Sequence, residues 1–249
     1  MHFGIALPNH GPTASVSEIR RWALFAEELG FDSIWVTEHI IVGDEAVDLY
    51  GTTYECLSTL AWLAAQTERV SLGTSITLVP LHHPIYLAKQ VATIQQLSGG
   101  RMTLGVGMGW HKDEFDFMGI EFAGRGARGD EAIRLMRALW NGEREFAGDH
   151  WSFSGATFEP LPERQPEIWV GGPSGRAVRR ALELGGTWHP TRTTSPEDVA
   201  RVKSEHPQLR IVPRTPLELV DAMLAAGADG AVLYLSDEDA MRAFARKHI

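Results

Sequence analysis

The sequence predicts an α/β protein, a (β/α)8 TIM barrel forming a single domain over residues 1–249, on three observations. Short runs rich in β-branched and aromatic residues alternate with longer segments of helical period along the whole chain, the pattern of βα units on a parallel sheet. Eight such units in 249 residues leave about 31 residues each, the compact end of that fold's range. A helix, glycine, strand refrain also recurs, as ELGFDSIWV (28–36), ELGGTWH (183–189) and AAGADGAVLYL (225–235). A doubly wound open sheet is the alternative, but it more often stops at fewer strands and carries a Gly-rich fingerprint after its first strand, where this chain reads PNHGPT (8–13).

In chain order, strands are expected near 3–7, 32–36, 70–76, 101–106, 167–171, 186–189, 209–213 and 230–235. Helices are expected near 15–29, 54–67, 84–98, 125–141, 174–185, 196–206, 215–226 and 237–247. The first helix has Ser15 and Glu18 at capping-box spacing, an apolar stripe of Ile19, Trp22, Ala23, Ala26 and Leu29, and Gly30 as its left-handed stop. The seventh repeats this grammar with Thr215 as cap, Pro216 in the first turn, Glu218 three residues after the cap and Gly227 at the end. Segment 143–166, between the fourth helix and the fifth strand, interrupts the alternation. Its Ala-Gly-Asp-His centre between short aromatic runs reads as an inserted hairpin with a Pro-rich return.

Composition narrows the function. With 44% apolar and 22% charged residues the chain can build a sizeable core, which excludes a disordered polymer. A net charge of −9 without any offsetting basic block argues against nucleic-acid or anionic-membrane partners. No apolar run approaches the roughly 18 residues of a membrane helix. The single cysteine, Cys56, cannot form an internal disulfide, and the N-terminus lacks a secretory pattern, so a cytoplasmic protein is expected.

In such a barrel chemistry is sought at the carboxyl ends of the strands. There the sequence places Asn9 and His10, Glu38 and His39, Gly107, Gly109 and Trp110, Gly171, Gly172, Pro173 and Ser174, His189, and Ser236. In WVGGPSGRAVRRA (169–181), two glycines lead into a helix capped by Ser174, with Gly175 and Arg176 in its first turn. Free N–H groups and an added cation make a phosphate site there, although an ordinary βα turn would use the same glycines. LGVGMGW (104–110) puts glycines at alternate positions, which marks close approach of a ligand or, alternatively, a barrel strand with small interior residues. His39 is a candidate proton donor or acceptor, or a histidine satisfied by a backbone partner. His82, His83 and His111 are weaker candidates, while His150 and His206 read as surface residues. A Schiff-base enzyme is disfavoured because Lys89, Lys112, Lys203 and Lys247 all fall on helices or a loop. No His-x-His pair marks a metallohydrolase and no metal is expected, a looser site from Glu38, His39 and His189 being the alternative.

Taken together, TEHI (37–40), the long run from Gly73 to Trp110 and WVGGPSGRAVRRALELGGTWHP (169–190) resemble the bacterial luciferase-like superfamily, most of all its coenzyme F420-dependent oxidoreductase branch. The resemblance implies a barrel with the cofactor at its carboxyl face and a homodimer. It implies that Ser75 and Ile76 form a bulge, often joined by a non-proline cis peptide, that backs the cofactor ring. By the same resemblance Glu38 contacts the cofactor, His39 handles the substrate proton, Gly107 lies under the ring, and Gly171, Gly172, Pro173, Ser174, Gly175 and Arg176 hold its phosphate. Trp110 stands where the superfamily's sugar-phosphate dehydrogenases carry glutamate, so a flatter apolar substrate is expected. Trp110 and His111 would line its pocket, with Phe115, Phe117 or Trp188 near and loops 40–53, 111–124 and 190–196 around it. The implied reaction is hydride transfer between reduced F420 and an unsaturated or carbonyl small molecule. The alternatives are an FMN-dependent monooxygenase, a phosphate-dependent barrel isomerase or lyase without redox cofactor, and a binding module without turnover.

Overall fold

The computed structural model describes residues 1–191 and 193–249. Along the chain run β1 (His2–Ala6), α1 (Val16–Glu28), β2 (Ser33–Val36), the single turn α2 (Val47–Tyr50), α3 (Cys56–Ala64), β3 (Ser71–Thr74), β4 (Thr77–Leu78), α4 (Pro84–Leu97), β5 (Met102–Gly107), α5 (Lys112–Phe117) and α6 (Arg125–Trp140). There follow β6 (Glu145–Ala147), β7 (Ser152–Ser154), β8 (Glu167–Gly171), α7 (Gly175–Arg180), β9 (Gly186–His189), α8 (Pro196–Glu205), β10 (Arg210–Ile211), β11 (Arg214–Thr215), α9 (Val220–Ala225), β12 (Gly230–Leu233) and α10 (Glu238–His248).

The strands form a (β/α)8 barrel. Their parallel order is β10-β9-β8-β5-β3-β2-β1-β12-β11, and β10 and β11 are two halves of one seventh strand. Along 210–215 one side pairs with β9, through Val212 N–H to Trp188 O and Arg214 N–H to Pro190 O. The other side pairs with β12, through Val232 N–H to Pro213 O and Tyr234 N–H to Thr215 O. Pro213 has no N–H to give, so one rung is missing and the ladder reads as two short pieces in a closed ring.

Side chains alternate across this ring as a barrel requires. Ile5, Ile34, Val170, Ile211 and Leu233 face the helices in the large outer core, while Ala6, Trp35, Trp169, Val212 and Val232 form the inner one. The ring centroids of Trp35 and Trp169 lie 4.5 Å apart, and His189 stacks on Trp35 at 5.1 Å. Gly73 has no side chain because a Cβ there would sit 2.2 Å from the Trp35 ring.

Local signals hold in part. Ser15 accepts the Glu18 N–H at 3.2 Å, but the Glu18 carboxylate turns to Arg21, so only half of the capping box forms. Thr215 does not cap the seventh helix: it is buried in β11 opposite Leu233, because closing the ring requires strand through residue 215. The helical region starts instead with a 3-10 turn at Leu217–Leu219. In the insertion, β6 and β7 pair antiparallel. The Glu131 carboxylate on α6 anchors their turn by accepting the N–H groups of Asp149, His150 and Trp151. No helix among the described residues is long and apolar enough to cross a membrane.

Candidate active site

A cavity of about 590 Å³ opens at the carboxyl face of the barrel. Of the residues singled out from sequence, Glu38, His39, Ser75, Ile76, Trp110, Gly171, Gly172, Pro173, Ser174 and Arg176 line it. Gly107, Gly175 and His111 are not among the lining residues. Arg192, in the expected pocket loop 190–196, lies outside the described residues.

Ile76 makes the floor. The Ser75–Ile76 peptide is cis, and the Ile76 side chain lies over β5 and β8. A Cβ on Gly107 would come within 1.9 Å of Ile76 Cδ1, and one on Gly171 within 2.7 Å of the same atom. A Cβ on Gly105 would meet the Thr74 carbonyl oxygen at 1.8 Å. The alternate glycines therefore receive the bulge after β3, and Gly107 touches the underside of Ile76 instead of facing the cavity. Ser75 is oriented from below by His189, whose Nδ1 donates to Val212 O at 2.6 Å while Nε2 accepts from Ser75 Oγ at 2.8 Å. Burial pushes the His189 imidazole down to about 4, against the pull of the Val212 carbonyl and with help from the Arg214 charge, so it is neutral near pH 7.

His39 leaves β2 beside this floor. Its Nδ1 donates to Glu114 Oε2 at 2.9 Å, and Glu114 Oε1 accepts the Ile40 N–H at 2.6 Å. Glu114 is fully buried. Burial alone would raise its pKa, but the bond from His39 and the backbone N–H groups of Ile40 and Ile41 outweigh it and hold the carboxyl below its usual range. Nδ1 thus carries its proton toward the carboxylate, and Nε2 is the imidazole atom left for chemistry. Tyr50 packs on His39 at 4.0 Å between ring centroids, and Trp110, 56% exposed, stands edge-on at 6.1 Å. The aromatic wall is therefore Tyr50 with Trp110. Phe115 lies beneath Gly109, Trp188 is buried with Nε1 on Gly172 O, and Phe117 points outward.

Glu38 has a buried carboxylate that accepts from Cys56 Sγ at 2.9 Å, the Leu78 N–H at 2.6 Å and His82 Nε2 at 3.0 Å. It braces the exits of β2 and β3. Burial, then the Glu38 charge, drives the Cys56 thiol well above its usual range, which leaves it unreactive. The ligand atoms of Glu38, Glu55 and Cys56 lie within 4.8 Å of one another, but Glu55 caps α3 by accepting the Leu57 and Ser58 N–H groups. His111 is buried, with Nδ1 on Glu45 Oε1 at 2.8 Å and Nε2 accepting the Gly43 N–H at 2.9 Å. It pins loop 40–53 from behind the pocket wall.

The opposite wall is the turn after β8. Gly172 takes φ +107°, open to glycine alone at little cost, and Ser174 Oγ accepts the Ala177 N–H at 3.3 Å. Gly175 would place a Cβ in open space. Arg125, Arg176 and Arg180 converge on this wall. Arg180 is paired with Asp130, whereas Arg125 bonds the Gly109 carbonyl and has its pKa lowered by burial, then by Arg128 and Arg176. Mutual repulsion among these cations is what an incoming anion relieves.

Four contributors escaped the sequence reading: Glu114, Tyr50, Arg125 and Arg214. Arg214 begins β11, the second half of the seventh strand, and donates from Nη1 to Thr37 Oγ1 at 2.8 Å and to Ser75 O at 3.1 Å. Its signal was an arginine closing the apolar strand LRIVPR (209–214), hidden by the helix-start pattern that follows.

The sequence profile of luciferase-like monooxygenases matches residues 1–208. The chain is 38% identical over 159 residues to the F420-dependent glucose-6-phosphate dehydrogenase of Kineococcus radiotolerans, covering 61% of this chain and 46% of that protein. It spans about half the length of the curated relatives it matches. An F420-dependent secondary alcohol dehydrogenase, solved with an F420-acetone adduct, superposes with a TM-score of 0.82 at 15% identity over 98% of this chain and 97% of that one. The monooxygenase RslO1 from Streptomyces bottropensis superposes with a TM-score of 0.72 at 28% identity over 92% and 68% of the two chains.

Proposed function

The chain belongs to the luciferase-like monooxygenase family, and from that premise we propose that it is an F420-dependent oxidoreductase acting on an unsaturated or carbonyl small molecule. One observation carries the reading: a single cavity joins a flat apolar floor, an arginine-rich wall and a histidine with one ring nitrogen committed to a buried carboxylate. These residues fit a planar ring bearing a phosphate. Ile76 supplies the flat support, while Gly172, Ser174, Arg125 and Arg176 supply the phosphate wall. When bound, a reduced deazaflavin supplies a hydride.

The chain's own part is orientation and proton handling. His39 holds a proton at Nε2 for the substrate atom that gains negative charge, and Glu114 keeps Nδ1–H and stabilises the imidazolium before transfer. Tyr50 and Trp110 form the slot above that nitrogen, suited to a flat apolar group. Glu38 acts through Leu78 and His82 to keep the bulge in place. We further assign residues 1–249 to one catalytic domain of a cytoplasmic homodimer.

Parallel titrations with oxidised F420 and oxidised FMN, followed by absorbance and fluorescence, test the proposal. Tight F420 binding with weak FMN binding is expected. The reverse result would favour oxygen chemistry on FMN; RslO1, which the chain resembles, is named a monooxygenase. Failure of both would leave a phosphate-dependent barrel enzyme without redox cofactor.

A further inference from the structure

Ser75 presents the cavity with a group of fixed polarity. Its backbone N–H is engaged by the Val36 carbonyl at 2.7 Å, and its own carbonyl accepts from Thr37 Oγ1 at 3.4 Å and from Arg214 Nη1 at 3.1 Å. What remains is the hydroxyl, and three links decide its direction. The Val212 carbonyl can only accept, so the proton of that 2.6 Å bond lies on His189 Nδ1. A neutral imidazole has a single N–H, and this buried ring is neutral near pH 7, so Nε2 is an acceptor. Ser75 Oγ, 2.8 Å from Nε2, therefore donates its one proton to His189.

Ser75 and His189 both line the cavity. An unconstrained serine turns its proton to suit whichever partner arrives. Here the proton is committed, so Oγ can meet a ligand only with lone pairs, which favour an N–H or O–H and oppose a carbonyl. Oxidised flavin and deazaflavin rings carry both kinds of group on one edge: a single N–H, at the imide nitrogen, flanked by two carbonyls. We propose that Ser75 Oγ, locked as an acceptor through His189 and Val212, receives the imide N–H of the cofactor ring. An acceptor that selects this N–H over its neighbouring carbonyls fixes the direction of the ring as well as its plane, a task the apolar Ile76 surface cannot perform. The proposal rests on the redox reading above, but not on the choice between F420 and FMN.

Dissociation constants of oxidised F420 and FMN, each beside its derivative methylated at the imide nitrogen, measured on the wild type and Ser75→Ala, test it. Losing one neutral hydrogen bond should weaken the parent rings about 2- to 12-fold. The methylated rings, which have no N–H to give, should bind the variant no more weakly than the wild type. Nitrogen NMR of His189 in the wild type without cofactor should place the imidazole proton on Nδ1. A proton on Nε2 would free the Ser75 hydroxyl to donate and would overturn the proposal before any variant is made. Equal weakening of parent and methylated rings would make Ser75 a brace only and overturn it too, as would parent rings that bind Ser75→Ala at full strength. A wild type that binds neither cofactor while keeping Nδ1–H would instead remove the redox reading, and this proposal with it.

Discussion

Replacing Glu114 by glutamine tests the orientation of His39 with almost no change in side-chain volume. The wild-type carboxylate accepts from two directions, His39 Nδ1 at 2.9 Å and the Ile40 N–H at 2.6 Å. Glutamine has one oxygen. The Ile40 N–H cannot become an acceptor, so the oxygen stays there and the amide NH2 faces Nδ1, which must then accept. The imidazole proton moves to Nε2, and the imidazolium loses its counter-charge. A hydrogen bond to a charged partner contributes about 1.5–3 kcal/mol, so turnover should fall about 10- to 150-fold. Nitrogen NMR of the imidazole reads the tautomer, and steady-state kinetics of cofactor oxidation reads the rate. The carboxyl's depressed pKa adds a stability term that is present above the ordinary glutamate range and disappears as pH falls through the folded value. The wild type's stability advantage over Glu114→Gln should therefore narrow in acid. Retention of Nδ1–H in the variant, or a Glu114→Gln/His39→Gln double variant much slower than His39→Gln alone, would refute the reasoning.

Two further outcomes follow from the floor. Gly107→Ala drives a Cβ to 1.9 Å from Ile76 Cδ1 and should cost about 1–3 kcal/mol of stability along with cofactor affinity. Ile76→Val, which deletes that Cδ1, should recover part of the loss in the Gly107→Ala background, and strictly additive losses in urea unfolding would exclude the contact as the cause. The folded state holds His189 neutral down to about pH 4, while the unfolded chain protonates it near 6.5. Its contribution, about 3 kcal/mol, is present above pH 6.5 and is lost as pH falls toward 4. The stability of His189→Gln should slope less steeply across that window than the wild type's, and equal slopes would count against it.

What could be read without coordinates was whatever repeats or sits at a strand end. The βα alternation gave the barrel, and Glu38, His39, Gly171, Gly172, Pro173, Ser174 and Arg176 fall where strands deliver side chains to one face, whereas Ser75 and Ile76 came from the family resemblance alone. The orienting groups were hidden because nothing local marks them. Glu114 lies in the acidic helix KDEFDF (112–117), where its burial follows only from the way α5 folds back over His39. Arg214 was obscured by Thr215 and Pro216, whose helix-start pattern lost to the requirement that the seventh strand close the ring. The glycines at 105 and 107 pointed to close approach of a ligand or to a strand of small interior residues; the groups that approach are the Thr74 carbonyl at Gly105 and Ile76 at Gly107, contacts that spacing alone does not reveal.

The keyed floor and the pinned mouth have different tolerances for change. Ile76 fills vacancies at Gly107 and Gly171, so a new side chain at one of these positions demands compensation at another. Loop 40–53 is held largely through its backbone: Ile40 N–H on Glu114, Gly43 N–H on His111 and the Leu49 carbonyl on His10. Such anchors ignore side-chain identity, leaving Ile41, Val47 and Leu49 open to substitution. A lineage built on this plan can diversify what it accepts at the rim while its cofactor seat stays frozen, and directed evolution aimed at new substrates should begin with those loop positions.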